Sequence, residues 1–340
     1  MEVEPVSFVR DSTRNLLKIN RRKHRDEESD LRRSLKEISI TSEDIASIAN
    51  KLKTKPAITA VDLRTLKNGL INDVKHCAVF LNVNGALRGL VRELTGLQVD
   101  RQCAAAGCCC NLALGDARVC TAVAKAAGSY LVAALDNLTV ELAVDRQCAA
   151  AGCCCNLALG DARVCTAVAK AAGSYLVAAL DNLTVELAVT CAWALGNLAG
   201  SGNRVCSILA AQGAVSKLSD YHANQDLQVA AIYALLLFAY EMKDELKPEH
   251  LQKILQTLSK LELTSDSLHL LFILSCHEHF AESMKEELLE KLLKHLPSAI
   301  EIHNRQTKIH YNLIYILRVL ANSNTITNED KQFTEKEVVE

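Results

Sequence analysis

Long stretches of small apolar residues, broken by short polar interruptions, dominate the middle of the chain. Residues 103–113 are small or apolar up to Asn111, Gly115-Asp116 interrupts them, Ala117 to Lys125 resumes the pattern, and Gly128 interrupts it again. Glycine and aspartate are helix-stop and helix-start signals, so this stretch predicts a helix, a turn, a second helix and a further break at Gly128. Leu131, Leu135, Leu138 and Leu142 then recur at intervals of 4, 3 and 4, which predicts a single apolar helical face. After Tyr221 the pattern becomes that of ordinary amphipathic helices. The expected segments are Asp226 to Glu241, Lys247 to Leu261 with Pro248 near its start, Ser267 to Phe280, Glu282 to Leu296, and Gln306 to Ala321.

The same pattern repeats. Asp100 to Val144 recurs without change as Asp145 to Val189, a period of 45 residues. A diverged third copy follows, in which Asn197 to Cys206 matches Asn111 to Cys120. A fourth relative precedes them, so that related glycines fall at Gly85, Gly128, Gly173 and Gly213. Periods of this length belong to helical repeats, in which no unit can bury its faces alone and each must stack on its neighbours. The expected fold is all-α, a right-handed superhelical solenoid with its binding surface on the concave side. The expected division is a charged arm over residues 1–40, repeats over 41–322 and a polar tail over 323–340.

Composition sharpens this picture. With 49% hydrophobic residues but only 4% aromatic, and 4 prolines in 340 residues, the core must be packed through small side chains on helices. A net charge of −2 provides no global attraction to nucleic acid, and each 45-residue unit holds only three cations against four anions, so no nucleic-acid contact is expected. The N-terminus has neither signal-peptide nor transit-peptide features, and the longest unbroken apolar run, Val229 to Tyr240, has 12 residues, so no membrane span is expected. The 14 cysteines are then expected as reduced thiols. Cys108, Cys109 and Cys110 point about 100° apart around a helix and cannot share one tetrahedral ion, and Cys276-His277-Glu278-His279 reads as a helix end. Phosphate-loop, dinucleotide, zinc-protease and nucleophile-elbow motifs are all absent from the sequence, so no catalysis, cofactor or metal is expected.

Cys191-Ala-Trp-Ala-Leu-Gly-Asn-Leu-Ala-Gly200, together with helix starts of Gly-x-x-x-Leu type recurring about every 42 residues, resembles the armadillo repeats of the importin α family. The pattern is similar also to that family's divergent relatives, the transmembrane and coiled-coil domain-containing protein 6 family. The importin α resemblance implies that Trp193 and Asn197, four apart on one helical face, line a groove for nuclear localisation signals, with the asparagine bonding the cargo backbone and the ring flanking lysine stems. It extends the cargo-binding set to Asn111 and Asn156, although Gly107 and Gly152 stand where the tryptophan would be. Tyr233 stands in for the ring in the next repeat, where Leu237 replaces the asparagine.

The arm matches the same family. Arg21, Arg22, Lys23 and Arg25, followed by Leu31, Arg32, Arg33 and Lys36, are similar to the basic segment that binds importin β. The resemblance therefore implies an adaptor of the cytoplasm and nucleus, with importin β and a basic cargo peptide as its partners. A cytosolic armadillo scaffold with no transport role is the alternative.

Overall fold

The computed structural model describes residues 40–54, 58–136, 143–220, 224–305 and 311–323. Every regular element among them is helical. The chain divides between Gln212 and Gly213 into two compact units.

In the first unit the described helices are α1 (Ser42–Thr54), α2 (Ala60–Asn72), α3 (Lys75–Asn82), α4 (Ala86–Leu94), α5 (Val99–Leu112), α6 (Ala117–Asp136), α7 (Ala143–Leu157), α8 (Ala162–Ala179), α9 (Val185–Ala199) and α10 (Asn203–Ala211). They form two layers. In one, α2 packs on α5, α5 on α7 and α7 on α9; in the other, α4 packs on α6, α6 on α8 and α8 on α10. Residues 104–113 and 150–158 are buried without interruption. That is the expected state of a helix apolar on every side, and alanine, glycine and cysteine let its neighbours approach closely.

The turn between layers is tied by the same few groups from repeat to repeat. Asp161 accepts hydrogen bonds from the backbone N–H groups of Arg163 and Val164 at 2.9 and 2.8 Å, capping α8, and Asp116 accepts from Val119 N at 2.9 Å. The thiols of Cys120, Cys165 and Cys206 donate to the carbonyls of Ala113, Ala158 and Ala199 at 3.3, 3.2 and 3.2 Å, tying each second helix to the end of the first. Here cysteine is a small hydrophobe with one weak donor, and the donor is used.

Two local expectations are corrected. Gly128 and Gly173 do not break the chain: both lie inside helices, α6 and α8. Only Gly85 and Gly213 among the four related glycines adopt positive φ, at 93° and 88°, ahead of a new helix. The inner two follow Lys-Ala-Ala, strong helix formers that carry the helix through a glycine costing about 1 kcal/mol. Nor do the recurrent leucines form one helical face. Leu138 and Leu142 lie outside the described residues, but in the second copy Leu176 and Leu180 are buried at the end of α8, Leu183 is fully exposed in a turn, and Leu187 is buried in α9. Asn182 ends the helix there, its side-chain oxygen accepting from Thr184 N at 2.9 Å.

One helix among the described residues nevertheless reaches membrane length. Ala117–Leu135 is long and apolar enough, by length and composition alone, to cross a bilayer. Counting unbroken runs missed it because Arg118 and Lys125 interrupt the stretch. In the structure it packs on α7 and α8.

In the second unit the described helices are α11 (Ala214–Leu218), α12 (Gln225–Met242), α13 (Pro248–Lys260), α14 (Ser265–Leu274), α15 (Phe280–Ser283), α16 (Glu286–Arg305) and α17 (Tyr311–Asn322). Pro248 starts α13, where its missing N–H has no helical partner to lose. The segment expected over Ser267 to Phe280 is α14 followed by a turn in which His277 Nε2 lies 2.8 Å from the Leu246 carbonyl. α16 continues past the expected end at Leu296, through Pro297 to Arg305.

Candidate functional site

The cargo-binding residues expected from the sequence fall on the layer formed by α5, α7 and α9, except Tyr233, which lies on α12 in the second unit and is buried. The importin-β-binding set, Arg21, Arg22, Lys23, Arg25, Leu31, Arg32, Arg33 and Lys36, lies outside the described residues.

Asn111, Asn156 and Asn197 occupy the same place on three successive helices, and all three are buried, at 2%, 6% and 2% exposure. Each reaches back to the helix before it. Asn111 Nδ2 donates to the Lys67 carbonyl at 2.8 Å, Asn156 Nδ2 to the Cys110 carbonyl at 2.9 Å, and Asn197 Nδ2 to Cys155 Sγ at 3.2 Å. Near the C-terminus Asn322 Nδ2 donates to the Ser275 carbonyl at 2.7 Å. The amides thus form a register ladder between repeats. Cys110 lies in the last turn of α5, where carbonyls lack helical partners, and Asn156 supplies one donor there, whereas Asn111 bonds a carbonyl inside α2 and Asn197 a thiol sulfur. Asn322 was not legible because the residues after it do not repeat the Asn-Leu-Ala motif shared by Asn111, Asn156 and Asn197.

Trp193 lies one turn before Asn197 on α9 and is half-buried, unlike the fully buried residues on either side of it. At the equivalent place in the first copy, the Lys67 side chain covers Gly107 so closely that a Cβ would come within 2.9 Å of Lys67 Cδ. The aliphatic stem of a lysine therefore lies over the position that carries the indole two repeats later.

The layer also carries a row of charges that the repeat motifs did not bring out. Asp62, Asp100, Asp145 and Glu186 each fall in the first turn of α2, α5, α7 and α9. Acidic groups there are favoured by the helix dipole. Partial burial would raise the Asp62 carboxyl, but Lys51 Nζ at 2.8 Å and the Thr59 hydrogen bonds outweigh it and hold the group below the usual carboxylate range. Asp100, Asp145 and Glu186 are exposed, with Arg64 3.7 Å from Asp100 across the surface. The signal was available in the sequence as one carboxylate about eleven residues before each aligned asparagine.

The buried thiols in this layer are held protonated. Burial pushes Cys109 and Cys154 up to about 12, with Cys110 beside each adding to the effect, and carries Cys108, Cys153 and Cys191 well above the ordinary thiol range. No grouping of three or more histidine, cysteine or acidic side chains among the described residues is arranged to hold a metal ion.

No protein-family model matches the chain, and no curated protein matches it. Solved structures do. An engineered protein superposes with a TM-score of 0.68 at 20% identity, over 83% of this chain and 68% of that one. A designed armadillo repeat protein in complex with the peptide (KR)4 gives 0.57 at 20% identity, over 82% of this chain and 99% of that one. Computationally designed armadillo repeat proteins for modular peptide recognition give 0.58 at 22% identity, over 71% of this chain and all of theirs. These likenesses show that the fold is an all-α solenoid of armadillo repeats.

Proposed function

We propose that this chain is a non-enzymatic protein-interaction scaffold that holds an extended basic segment of a partner along the α5–α7–α9 layer. The observation that carries this reading is the row Asp100, Asp145 and Glu186, one exposed carboxylate per repeat on successive packed helices. Packed helices lie about 8–10 Å apart, and an extended chain advances about 3.3 Å per residue, so a cation every two to three residues would meet each carboxylate in turn. Trp193 offers a ring against which a lysine or arginine stem can lie. In this reading Asn111, Asn156 and Asn197 position the surface by holding repeat register. The neighbour in complex with the peptide (KR)4 supports a basic ligand, and the peptide-recognition design supports a peptide one.

The test is a fluorescence-anisotropy titration of the full chain with a labelled Lys-Arg repeat peptide. Asp100→Asn, Asp145→Asn and Glu186→Gln together should weaken binding by about tenfold or more and flatten its salt dependence, and Trp193→Ala should weaken it at unchanged helical content. Absence of binding by the parent chain at low salt would end the proposal.

A second, finer reading is an importin-α-like adaptor moving between cytoplasm and nucleus, with residues 1–40 as the arm, 41–322 as the repeats and 323–340 as the tail. The feature that favours it is the basic arm from Arg21 to Lys36. Binding of importin β by the full chain, abolished by reversing the charge of Arg21, Arg22, Arg32 and Arg33, is its expected outcome. Failure there would leave the scaffold reading intact.

A further inference from the structure

A cleft of about 610 Å³ opens between α8 and the start of α10, in the layer opposite the asparagine ladder. Its lining includes Arg163, Lys170 and Arg204, with Ser201 and Asn203 as neutral polar groups and no acidic residue. All three cations are exposed, and none makes an ion pair among the described residues. The first two repeats place Asp116 and Asp161 at the head of the second helix, where Asp161 occupies the Arg163 and Val164 N–H groups. The third repeat has Gly202 there, with no side-chain cap on α10, so the carboxylate that accompanies the arginine in the other copies is missing at Arg204.

We infer that this cleft docks an acidic segment of a partner protein, through Arg163, Lys170 and Arg204. The volume lies in the range of ligand sites, and three cations lining one cleft with no ion-pair partner among the described residues and no acidic lining residue favour an anionic occupant. Their spacing selects the kind of anion. Arg163 and Lys170 are seven residues apart on one helix, a rise of about 10 Å, a spacing suited to successive carboxylates of an extended chain. The small lining residues Ala162, Ala167 and Val205 leave the floor open to a peptide backbone. This surface is independent of the basic-peptide proposal and has the opposite charge preference.

The duplication supplies its own control. A labelled octaglutamate peptide is titrated against the full chain by anisotropy, with helical content followed by circular dichroism. Lys170→Ala with Arg204→Ala should weaken binding by about tenfold. Arg118→Ala with Lys125→Ala, which removes the same charge from the equivalent helix of the first copy, should change it less than about twofold. Equal loss in both pairs, no loss in the first, or no binding by the parent chain would overturn the inference. So would displacement of the peptide by millimolar inorganic phosphate at matched ionic strength, which would assign the cleft to a single anion. Neutralising Asp100, Asp145 and Glu186 should leave octaglutamate binding intact, so the two proposals fail separately.

Discussion

Gly128 and Gly173 occupy the same position in two identical 45-residue segments, and both lie inside helices. By local sequence alone, replacing either with alanine should have one effect, a gain of about 0.5–1 kcal/mol from the better helix former. The structure predicts different outcomes. A Cβ at Gly128 meets none of the described residues within 4 Å, so Gly128→Ala should realise the full gain and raise the melting temperature by about 1–4 °C. A Cβ at Gly173 would lie 2.1 Å from Gln212 Oε1 and 2.8 Å from Leu209 Cδ2. Gln212 would have to swing away, breaking its 3.2 Å hydrogen bond to the Ala169 carbonyl, a loss of about 1 kcal/mol. Buried Leu209 would also have to leave its rotamer, at about 0.5–1.5 kcal/mol. These losses, about 1.5–2.5 kcal/mol together, exceed the propensity gain, so Gly173→Ala should destabilise by about 0.5–2 kcal/mol, placing the two variants about 1.5–2.5 kcal/mol apart. Urea denaturation followed at 222 nm would measure this from the midpoint of the first unit's transition, with the slope checked for constancy. Equal shifts for the two variants would refute the packing argument and leave intrinsic propensity in control.

Other outcomes follow from single observations. Gly89→Ala should destabilise the first unit by about 3 kcal/mol or more in the same assay, because its Cβ would lie 2.2 Å from the Leu52 carbonyl oxygen, which is backbone and cannot rotate aside. Of the 14 cysteines, exposed Cys276 should react first with a thiol reagent, while the buried Cys108, Cys109, Cys153 and Cys154 should react only on unfolding, as counted by mass spectrometry with and without denaturant. His269 is stacked on Tyr315 with ring centroids 4.9 Å apart, and burial lowers its pKa from 6.5 to about 4. It is therefore neutral when folded and protonates more readily when unfolded, so its contribution is retained above pH 6.5 and lost as pH falls toward 4. The second unit should lose about 2 kcal/mol between about pH 7 and pH 5, and His269→Phe should flatten that slope.

Much of the architecture was legible in the chain. In Asn-Leu-Ala-Leu-Gly-Asp-Ala-Arg-Val-Cys the Gly-Asp interruption marks a helix end, a turn and a new helix start, and the structure builds those parts in both copies, adding the aspartate cap and a thiol bonded back across the turn. Repeat period and small-residue composition were enough to require stacking, because helices so apolar have no other way to leave water. For the candidate site, the repeat supplied the ladder positions, whereas the first-turn carboxylates, although they recur in the same register, stood outside the motifs and emerged only once the helix starts were placed. It could not say that the asparagine nitrogens are turned inward onto Lys67, Cys110 and Cys155, which depends on where the preceding helix ends in space. Identical segments make the distinction plain. Local sequence determined that both copies form helices through Gly128 and Gly173, whereas only the neighbouring helix decided which of those glycines is crowded, because packing is a property of two surfaces and the chain writes down one at a time.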